Sequence, residues 1–515
     1  MTAGGRAACV IGVGQHTWRP DDDDLIDGSA PEPLTMWEHV VRLAAEDAGA
    51  GRGSHGVLDR LGALRVIYTQ SWPYDDPADR LAARLGVSPV DRQYSGIGGT
   101  RPMQEVMALT DAIERGQLDV GCVVGAEALA TVRRRKKAGE RPAWSHRDPD
   151  RKPFPLEAPF LDTEIAHEVF QAWLTFACWD IGRRARLGRS PEEYRRLIGD
   201  TMAPLSSVAA ADPHAWFPIS YGASTIVDPS ADNRMVGYPY TKRCVAVMDV
   251  DMAAAVIVAS QDAADVLGVP MDRRVYLRGA AYGTDPVYLA EHQSFGSVPG
   301  MRAVSASALR SAGVGIDDVA HLDLYSCFPS SLHHAADALG ISSTDRRGLT
   351  VTGGLPYFGG PGSNYLTHSI AAMVDVLRND PGSFGLTSGV GMHMTKHAFG
   401  VWSTSPPGNG TPGVSVLGDD THVQTSLDAH TRYPIVDRVA GAAKVATYSV
   451  VHGRDGEPTW ALLVCDVPEG ERCYARVEAG DPDGLAFLMA LEAEEWVGRT
   501  VSLTPDGHGR NVARA

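Results

Sequence analysis

Residues 95–127 read SGIGGTRPMQEVMALTDAIERGQLDVGCVVGAE. Ser95–Thr100 is a glycine-rich turn. Arg101–Arg115 spaces its apolar residues as an amphipathic helix and is stopped by Gly116, and Val120–Val124 is a short strand-like run. The same alternation holds upstream. Ala8–Val13, punctuated by Gly12 and Gly14, predicts a buried strand, and Met36–Ala50 a helix. Leu64–Thr69 predicts a strand and Ala78–Leu85 a short helix. Helices alternating with short apolar strands point to a layered α/β fold with a largely parallel sheet.

Downstream the rhythm breaks. The basic run Arg133–Lys137 leads into Pro142, Pro149, Pro153 and Pro155, and helices are predicted over Ala166–Leu187 and Pro191–Ala210. This is the pattern of a helical insertion. Val245–Ser260 returns to buried-sheet character, and a second α/β unit starts with a strand at Val275–Ala281. It continues with a helix at Met301–Ala312, a strand at His321–Tyr325 and a helix at Ser331–Leu339, so the two halves read as an internal duplication. Ser405–Gly413 is rich in Pro and Gly and reads as a linker. Hairpin patterning follows, with strands at Val445–Val451, Trp460–Val467 and Arg472–Val477 and a short helix at Phe487–Glu495, predicting a small β-rich barrel. The expected boundaries are a first half over 1–131 completed by 241–270, an insertion over 132–240, a second half over 271–405, a linker over 406–415 and the barrel over 416–515.

The 515 residues carry 47 Lys+Arg against 63 Asp+Glu, a formal net charge of −16. That balance argues against nucleic acid or an anionic membrane as the main partner, because both need clustered positive charge. The acidic run Asp21–Asp24 reads as a solvated loop. The seven cysteines include no C-x-x-C pair, which fits a reducing compartment and excludes a disulfide scaffold. No secretory signal and no apolar run of about 20 residues is evident, so a soluble cytoplasmic protein is expected.

Four loops next to predicted strands or helices are where α/β sheets collect ligands. They are Ser95–Pro102, Tyr325–Pro329, Gly353–Tyr365 and Ser388–His397. Ser95–Thr100 could cradle a phosphate through its amides or be no more than a tight turn.

The order and context of these loops resemble the thiolase superfamily over residues 5–405. Within it they resemble the sterol-carrier-protein-type branch and its actinobacterial type 1 thiolase-like group, which has an extra C-terminal domain. Helix Met103–Arg115 with Leu118–Glu127 is similar to the family's nucleophile helix and the strand after it. Met248–Val258 is similar to its Asp-Gly-Ala-Ala strand, without the glycine. The resemblance implies two βαβαβαββ halves in five layers, an inserted domain that covers coenzyme A, and an OB-like C-terminal barrel. It also implies an acyl-CoA substrate in lipid metabolism, a nominal acyltransferase activity, and a monomer or weak homodimer; no metal is expected, because no His or Cys spacing resembles a zinc site.

Carried over residue by residue, the chemistry changes. The nucleophilic cysteine position falls on Gly99, the activating histidine position on Gly360, and the second cysteine position near Ser388 or Gly389. A thiolase nucleophile needs a thiolate at a helix N-terminus, and glycine supplies none. Tyr325 stands where the family has a polar oxyanion ligand. If a neighbour lowers its pKa it can donate a proton or hydrogen-bond an enolate, as tyrosines do in superfamily lyases; otherwise it is a packed Tyr. Cys327 is a second candidate, although it matches a structural position that suits a buried small residue. His393 and His397 could replace the missing base or be structural. In the family, basic residues of the inserted domain meet the CoA phosphates; Arg133, Arg134 and Arg135 lie near the start of that domain and could serve, or form a solvated run. The expected function is altered carbon–carbon bond chemistry on acyl-CoA, of retro-aldol/lyase or acyl-transfer type, or binding of a CoA ester or partner without turnover. In the lyases a barrel-bearing partner subunit contacts the thiolase fold, so a fused barrel could act in cis or bind a protein partner.

Overall fold

A computed structural model describes residues 6–515 except 24, 50, 52, 152–159, 408–415 and 418–419. Pro153, Pro155, Asp24 and most of the expected linker therefore lie outside the described residues. The first half contains β1 (Ala8–Thr17), α1 (Pro33–Asp47), α2 (Gly53–Leu58), β2 (Ala63–Val66), α3 (Pro77–Leu85), β3 (Asp91–Tyr94), α4 (Arg101–Glu114) and β4 (Val120–Ala128). An insertion follows, with α5 (Leu129–Lys137), α6 (Asp162–Ala166), α7 (Ala172–Leu187), α8 (Pro191–Ala211), α9 (Ala223–Val227), β5 (Met235–Gly237) and β6 (Tyr240–Thr241). Strand β7 (Asp251–Ser260) completes the half and α10 (Gln261–Leu267) leaves it. The second half is β8 (Val275–Thr284), α11 (Pro299–Ala312), β9 (Val319–Asp323), α12 (Pro329–Leu339), α13 (Tyr365–Asn379), β10 (Phe384–Gly391) and β11 (Lys396–Ser403).

One sheet runs β3-β2-β4-β7-β1-β8-β11-β10-β9. Reading outward from the β1–β8 junction, the order β1, β7, β4, β2 is repeated by β8, β11, β10, β9, so the duplication is visible in the topology itself. The sheet is not largely parallel. Only β2–β3, β2–β4 and β9–β10 pair in parallel. The last strand of each half, β7 or β11, runs back antiparallel between its neighbours. Between β4 and β7 lies the whole insertion; between β10 and β11 lies only a tight turn.

Helices α4 and α13 form the middle layer, sharing one core with both halves through residues such as Val106, Ile370, Val256 and Ala398. Helix α1 covers the outer face of the first half, where Gly12 and Gly14 lie inside β1 rather than ending it. A Cβ on Gly12 would lie 3.1 Å from the Ala44 carbonyl carbon and nearer still to its oxygen, so glycine here permits close helix–strand approach. The helix predicted over Ala166–Leu187 starts only at Ala172, as α7; Ala166 instead ends α6, and the chain between them breaks where Glu168 takes φ 58°. The strand expected from Met248 begins at Asp251, and residues 245–250 form an extended approach to it.

After α14 (Asp420–Asp428), the C-terminal region contains β12 (Gly441–His452), β13 (Pro458–Asp466), β14 (Arg472–Glu478), α15 (Gly484–Ala493), β15 (Thr500–Pro505) and β16 (Asn511–Arg514). The order β13-β14-β16-β15-β12 closes through β12–β13, giving a five-stranded OB-like barrel. Alternate residues of β13 and β14 face opposite ways. Ala461, Leu463, Cys473 and Ala475 fill the barrel, while Leu462, Val464 and Tyr474 join the core of the insertion and second half. Arg184 of α7, 1% exposed, bonds the hydroxyls of Tyr238 and Tyr448 (both 2.7 Å) and Glu495 (3.1 Å). All seven cysteines are free and buried.

Two outcomes follow. Gly12→Ala should cost about 1–3 kcal/mol of stability through overpacking against α1; an unchanged denaturant midpoint would contradict this packing. Burial pushes His167, His214, His292, His334 and His393 down to about 4 and His368 to about 3. The unfolded chain, with histidines near 6.5, then binds more protons on acidification, so stability is lost as pH falls from about 6.5 towards 4. Asp212 and Asp251, raised to about 6, and Glu127, raised to about 7 by burial, oppose this. The histidines outweigh them, and the thermal midpoint should fall between pH 7 and pH 5; a constant or rising midpoint would refute that sum.

Candidate functional site

The N-terminus of α4 points at the second half of the sheet, and the Gly96–Thr100 loop before it makes the contact. Gly98 N donates to Ser363 Oγ (3.0 Å), and Gly98 takes φ 147°, a backbone that suits glycine. A Cβ on Gly99 would lie 2.8 Å from Tyr325 Cζ and nearer still to Tyr325 Oη and Val390 O. The phenol of Tyr325 therefore occupies the space that a side chain at position 99 would use. Gly389 closes the other flank, its would-be Cβ 3.3 Å from Gly99 O and 3.4 Å from Thr100 Cα. Gly99, Tyr325, Ser388 and Gly389 thus form one group.

Tyr325 is 6% exposed and lies on the loop between β9 and α12. Its amide donates to Ser388 Oγ (2.9 Å) and its ring meets Tyr365 edge-on at 5.5 Å. Its hydroxyl has no hydrogen-bond partner among the described residues. Burial pushes its pKa up, with the nearby Cys327 thiol adding to the effect. The lowered pKa considered from sequence is not found, so the phenol stays neutral, with a proton to donate and no phenolate to act as a base.

Cys327 is buried, its thiol pushed up to about 12 chiefly by burial, and Sγ lies 3.7 Å from Ser331 Oγ. A thiol so far from its thiolate is a poor nucleophile. Its carbonyl accepts from Ala246 N (3.0 Å), and Val247 O accepts from Gly360 N (2.8 Å). Residues 245–248 thus lie against both Cys327 and Gly360 and present a half-exposed apolar strip ending at Met248, 43% exposed. A Cβ on Gly360 would meet Leu355 Cδ2 at 3.3 Å, a much milder approach than at Gly99.

The two histidines part company. His393 sits in the β10–β11 turn, where Met392, His393 and Met394 take φ 45°, 55° and 69°. The strained turn is held by α7: Trp179 Nε1 donates to His393 O (3.2 Å), and His393 Nδ1 lies 2.7 Å from Thr175 Oγ1. Thr175 Oγ1 also lies 3.1 Å from Ala172 O, so one hydroxyl bridges the His393 ring and the α7 backbone. Burial alone pushes the ring down to about 4, leaving it neutral at pH 7. His397, fully buried, faces the outer helix α11 instead. Its Nε2 meets Asp285 Oδ2 at 2.9 Å, and Asp285 also accepts from Gly300 N at the start of α11.

The basic run forms α5, and its arginines are engaged. Arg133 pairs with Asp249, Arg134 bonds Thr131 Oγ1 (3.1 Å) beside Asp251, and Arg135 pairs with Glu140 (3.0 Å). Among the described residues no cluster of His, Cys, Asp and Glu could hold a metal ion, and no helix is long and apolar enough to cross a membrane. Sequence reading missed the role of Ser363, which clasps the Gly98 amide, and of Asn364, whose Nδ2 donates to Gly125 O (2.8 Å). Their one signal was their place at the end of the third glycine-rich loop. The α7 residues Thr175 and Trp179 carried no signal at all.

Comparison with known proteins agrees with this architecture. Residues 422–508 match the family described as the thiolase-like protein type 1 additional C-terminal domain. No curated protein matches the chain in sequence. Among solved structures, a monomeric SCP2-thiolase like protein type 1 from Mycobacterium smegmatis is 29% identical, with a TM-score of 0.83 over 99% of both chains. Acetyl-CoA acetyltransferase from Syntrophomonas wolfei is 14% identical, TM-score 0.52, over 78% of this chain and 99% of its own. The Ltp2-ChsH2(DUF35) aldolase is 16% identical, TM-score 0.56, over 77% of this chain and 97% of its own. These last two share the fold alone. Core and barrel together make this chain similar to SCP2-thiolase like protein type 1 along its full length, with a match to the additional C-terminal domain of thiolase-like protein type 1 at residues 422–508.

Proposed function

We propose that this chain binds an acyl thioester of coenzyme A at the Gly99–Tyr325 contact and acts on its carbon–carbon bond as a lyase. The observation that carries the reading is the Tyr325 hydroxyl. It lies in the space a side chain at position 99 would use, neutral and without a partner among the described residues, where a bound thioester carbonyl would need a donor. With glycine at 99 and a thiol pushed up to about 12 at Cys327, an acyl-enzyme route has no support here. In a retro-aldol step the β-hydroxyl of a β-hydroxyacyl thioester gives up its proton and the Cα–Cβ bond breaks. The carbonyl fragment leaves, and the electron pair passes into a thioester enolate whose oxygen Tyr325 hydrogen-bonds. The neutral Nε2 of His393 is the group assigned to receive the β-hydroxyl proton; protonation of Cα from solvent completes the balance. The apolar strip at 245–248 suits the pantetheine and acyl stem. The CoA phosphates are assigned to α5, where they would exchange for Asp249 and Glu140 on Arg133 and Arg135, with Arg134 beside them.

A second reading, binding without turnover, is favoured by one observation: both candidate histidines already have protein partners, Thr175 and Asp285.

A mass-spectrometric screen of β-ketoacyl- and β-hydroxyacyl-CoA esters, bulky ones included, separates the two. The lyase reading expects cleavage by the parent and a loss of about 100-fold in Tyr325→Phe, the scale of one oxyanion donor. Binding without cleavage of any ester leaves the second reading. Gly99→Cys should give no thiolysis and a lower unfolding midpoint than the parent, because its side chain collides with Tyr325 and Val390 O; appreciable thiolysis would overturn the placement of Gly99.

A further inference from the structure

Helix α15 is an anomaly in the barrel. Its inner side, Phe487, Leu488 and Leu491, fills the barrel core. Its outer side is apolar as well: Leu485 is 46% exposed and Met489, one turn on, 60% exposed, with Ala486 and Ala493 exposed beside them. Solvent-facing helix positions are ordinarily polar, so a stripe of this kind is the feature to explain. Next to it opens a cleft of about 390 Å³ whose wall includes Phe487, Ala490 and Trp496. Its rim carries Asp481 and Asp483, whose carboxylates have no partner among the described residues, with Arg514 the lining cation.

The rest of the barrel narrows the choice of what this surface does. Strands β13 and β14, the face that OB-like barrels commonly offer to ligands, are already covered by the insertion through Leu462, Val464 and Tyr474. The α15 end is the apolar surface left open.

We propose that the α15 stripe and its cleft dock an apolar helix with basic flanking residues, supplied by a partner protein. A helix fits because Leu485 and Met489 form a ridge at i, i+4 spacing, and Ala486 and Ala490 beside it let a second backbone approach. The ten residues of α15 span about 15 Å, enough for two to three turns of partner helix. The cleft takes one large apolar side chain from it. Basic flanks fit because two unpaired carboxylates dominate the rim of a chain whose net charge is −16. This inference stands apart from the thioester reading and does not depend on it.

The test uses the full chain and two labelled 14-residue amphipathic helical peptides, one of Leu and Lys and one of Leu and Glu, read by fluorescence anisotropy at physiological salt. The Leu/Lys peptide is expected to bind at least about tenfold more tightly than the Leu/Glu peptide. Leu485→Gln/Met489→Gln should weaken Leu/Lys binding about tenfold or more, and Asp481→Asn/Asp483→Asn should weaken it several-fold and flatten its salt dependence. All four side chains are off the barrel core, so an unchanged unfolding midpoint confirms intact variants. Equal binding by Leu485→Gln/Met489→Gln would place the attraction elsewhere on the acidic surface and overturn the proposal. Equal binding of the two peptides would overturn the basic partner. Self-association of the parent that this variant abolishes would make a second copy the occupant and overturn it too.

Discussion

Two chain segments approach each other across the junction of the halves so closely that no side chain fits between them, and the site is a consequence of that approach. Gly99 lies under Tyr325 and against Val390 O, and Gly389 lies against Gly99 O. A layered fold places helix N-termini at the ends of the opposing strands, and only residues without a Cβ allow backbone to meet backbone there. Once position 99 is glycine, the volume it gives up is available to a side chain from the other half. Tyr325 takes it, and in doing so becomes buried, neutral and singly placed. The missing side chain at position 99 and the placed phenol are therefore two sides of one packing event.

The duplication explains why this happens once and not twice. The start of α13 meets β4 as the start of α4 meets β10: a Cβ on Gly125 would lie 2.9 Å from Asn364 Cβ, the counterpart of Gly389 against Thr100. There, however, the space is closed by polar bonds. Asn364 donates to Gly125 O and accepts from Thr367 Oγ1 (2.7 Å). Nearby Glu127 accepts from Gln70 N (2.8 Å), Ser71 and Thr69 Oγ1. A buried carboxylate with that many donors is a structural knot even with its pKa raised. The first-half contact is closed by hydrogen bonds, while at the second-half contact the Tyr325 hydroxyl has no partner among the described residues. That asymmetry is what distinguishes the two halves at their contact.

Much of the architecture is legible in the chain because it rests on periodicity: α4, α8 and α11 are amphipathic, and the barrel strands alternate. Strand direction is not encoded in period 2, which is why the reversed β7 and β11 escaped notice. Tyr325, Ser388 and Gly99 are legible as loop residues, but that the phenol enters the volume beside Gly99 is a three-dimensional fact. His393 and His397 look alike in sequence, four residues apart in one loop. Three successive positive φ values at 392–394 break the strand alternation between them, and one ring turns to α7 while the other turns to α11. Such a turn, with no glycine to announce it, is held by Trp179 and Thr175, more than 200 residues away.

The same helix α7 ties the barrel to the rest of the chain. Thr447 of β12 bonds Cys178 O (2.6 Å) in α7, Arg184 of α7 is clamped by Tyr448 and Glu495, and Tyr474 Oη bonds Glu164 (3.0 Å) in α6. The barrel grips the insertion along its OB ligand face, and the insertion grips the His393 turn one helical turn away. A barrel fused in this way holds α7, and through it the strained turn, with no association step; the entropy of docking a separate subunit is avoided. The arrangement also uses up the surface on which an OB-like barrel would take nucleic acid, which agrees with the acidic charge balance. What the barrel leaves exposed on the apolar side is α15, through Leu485 and Met489.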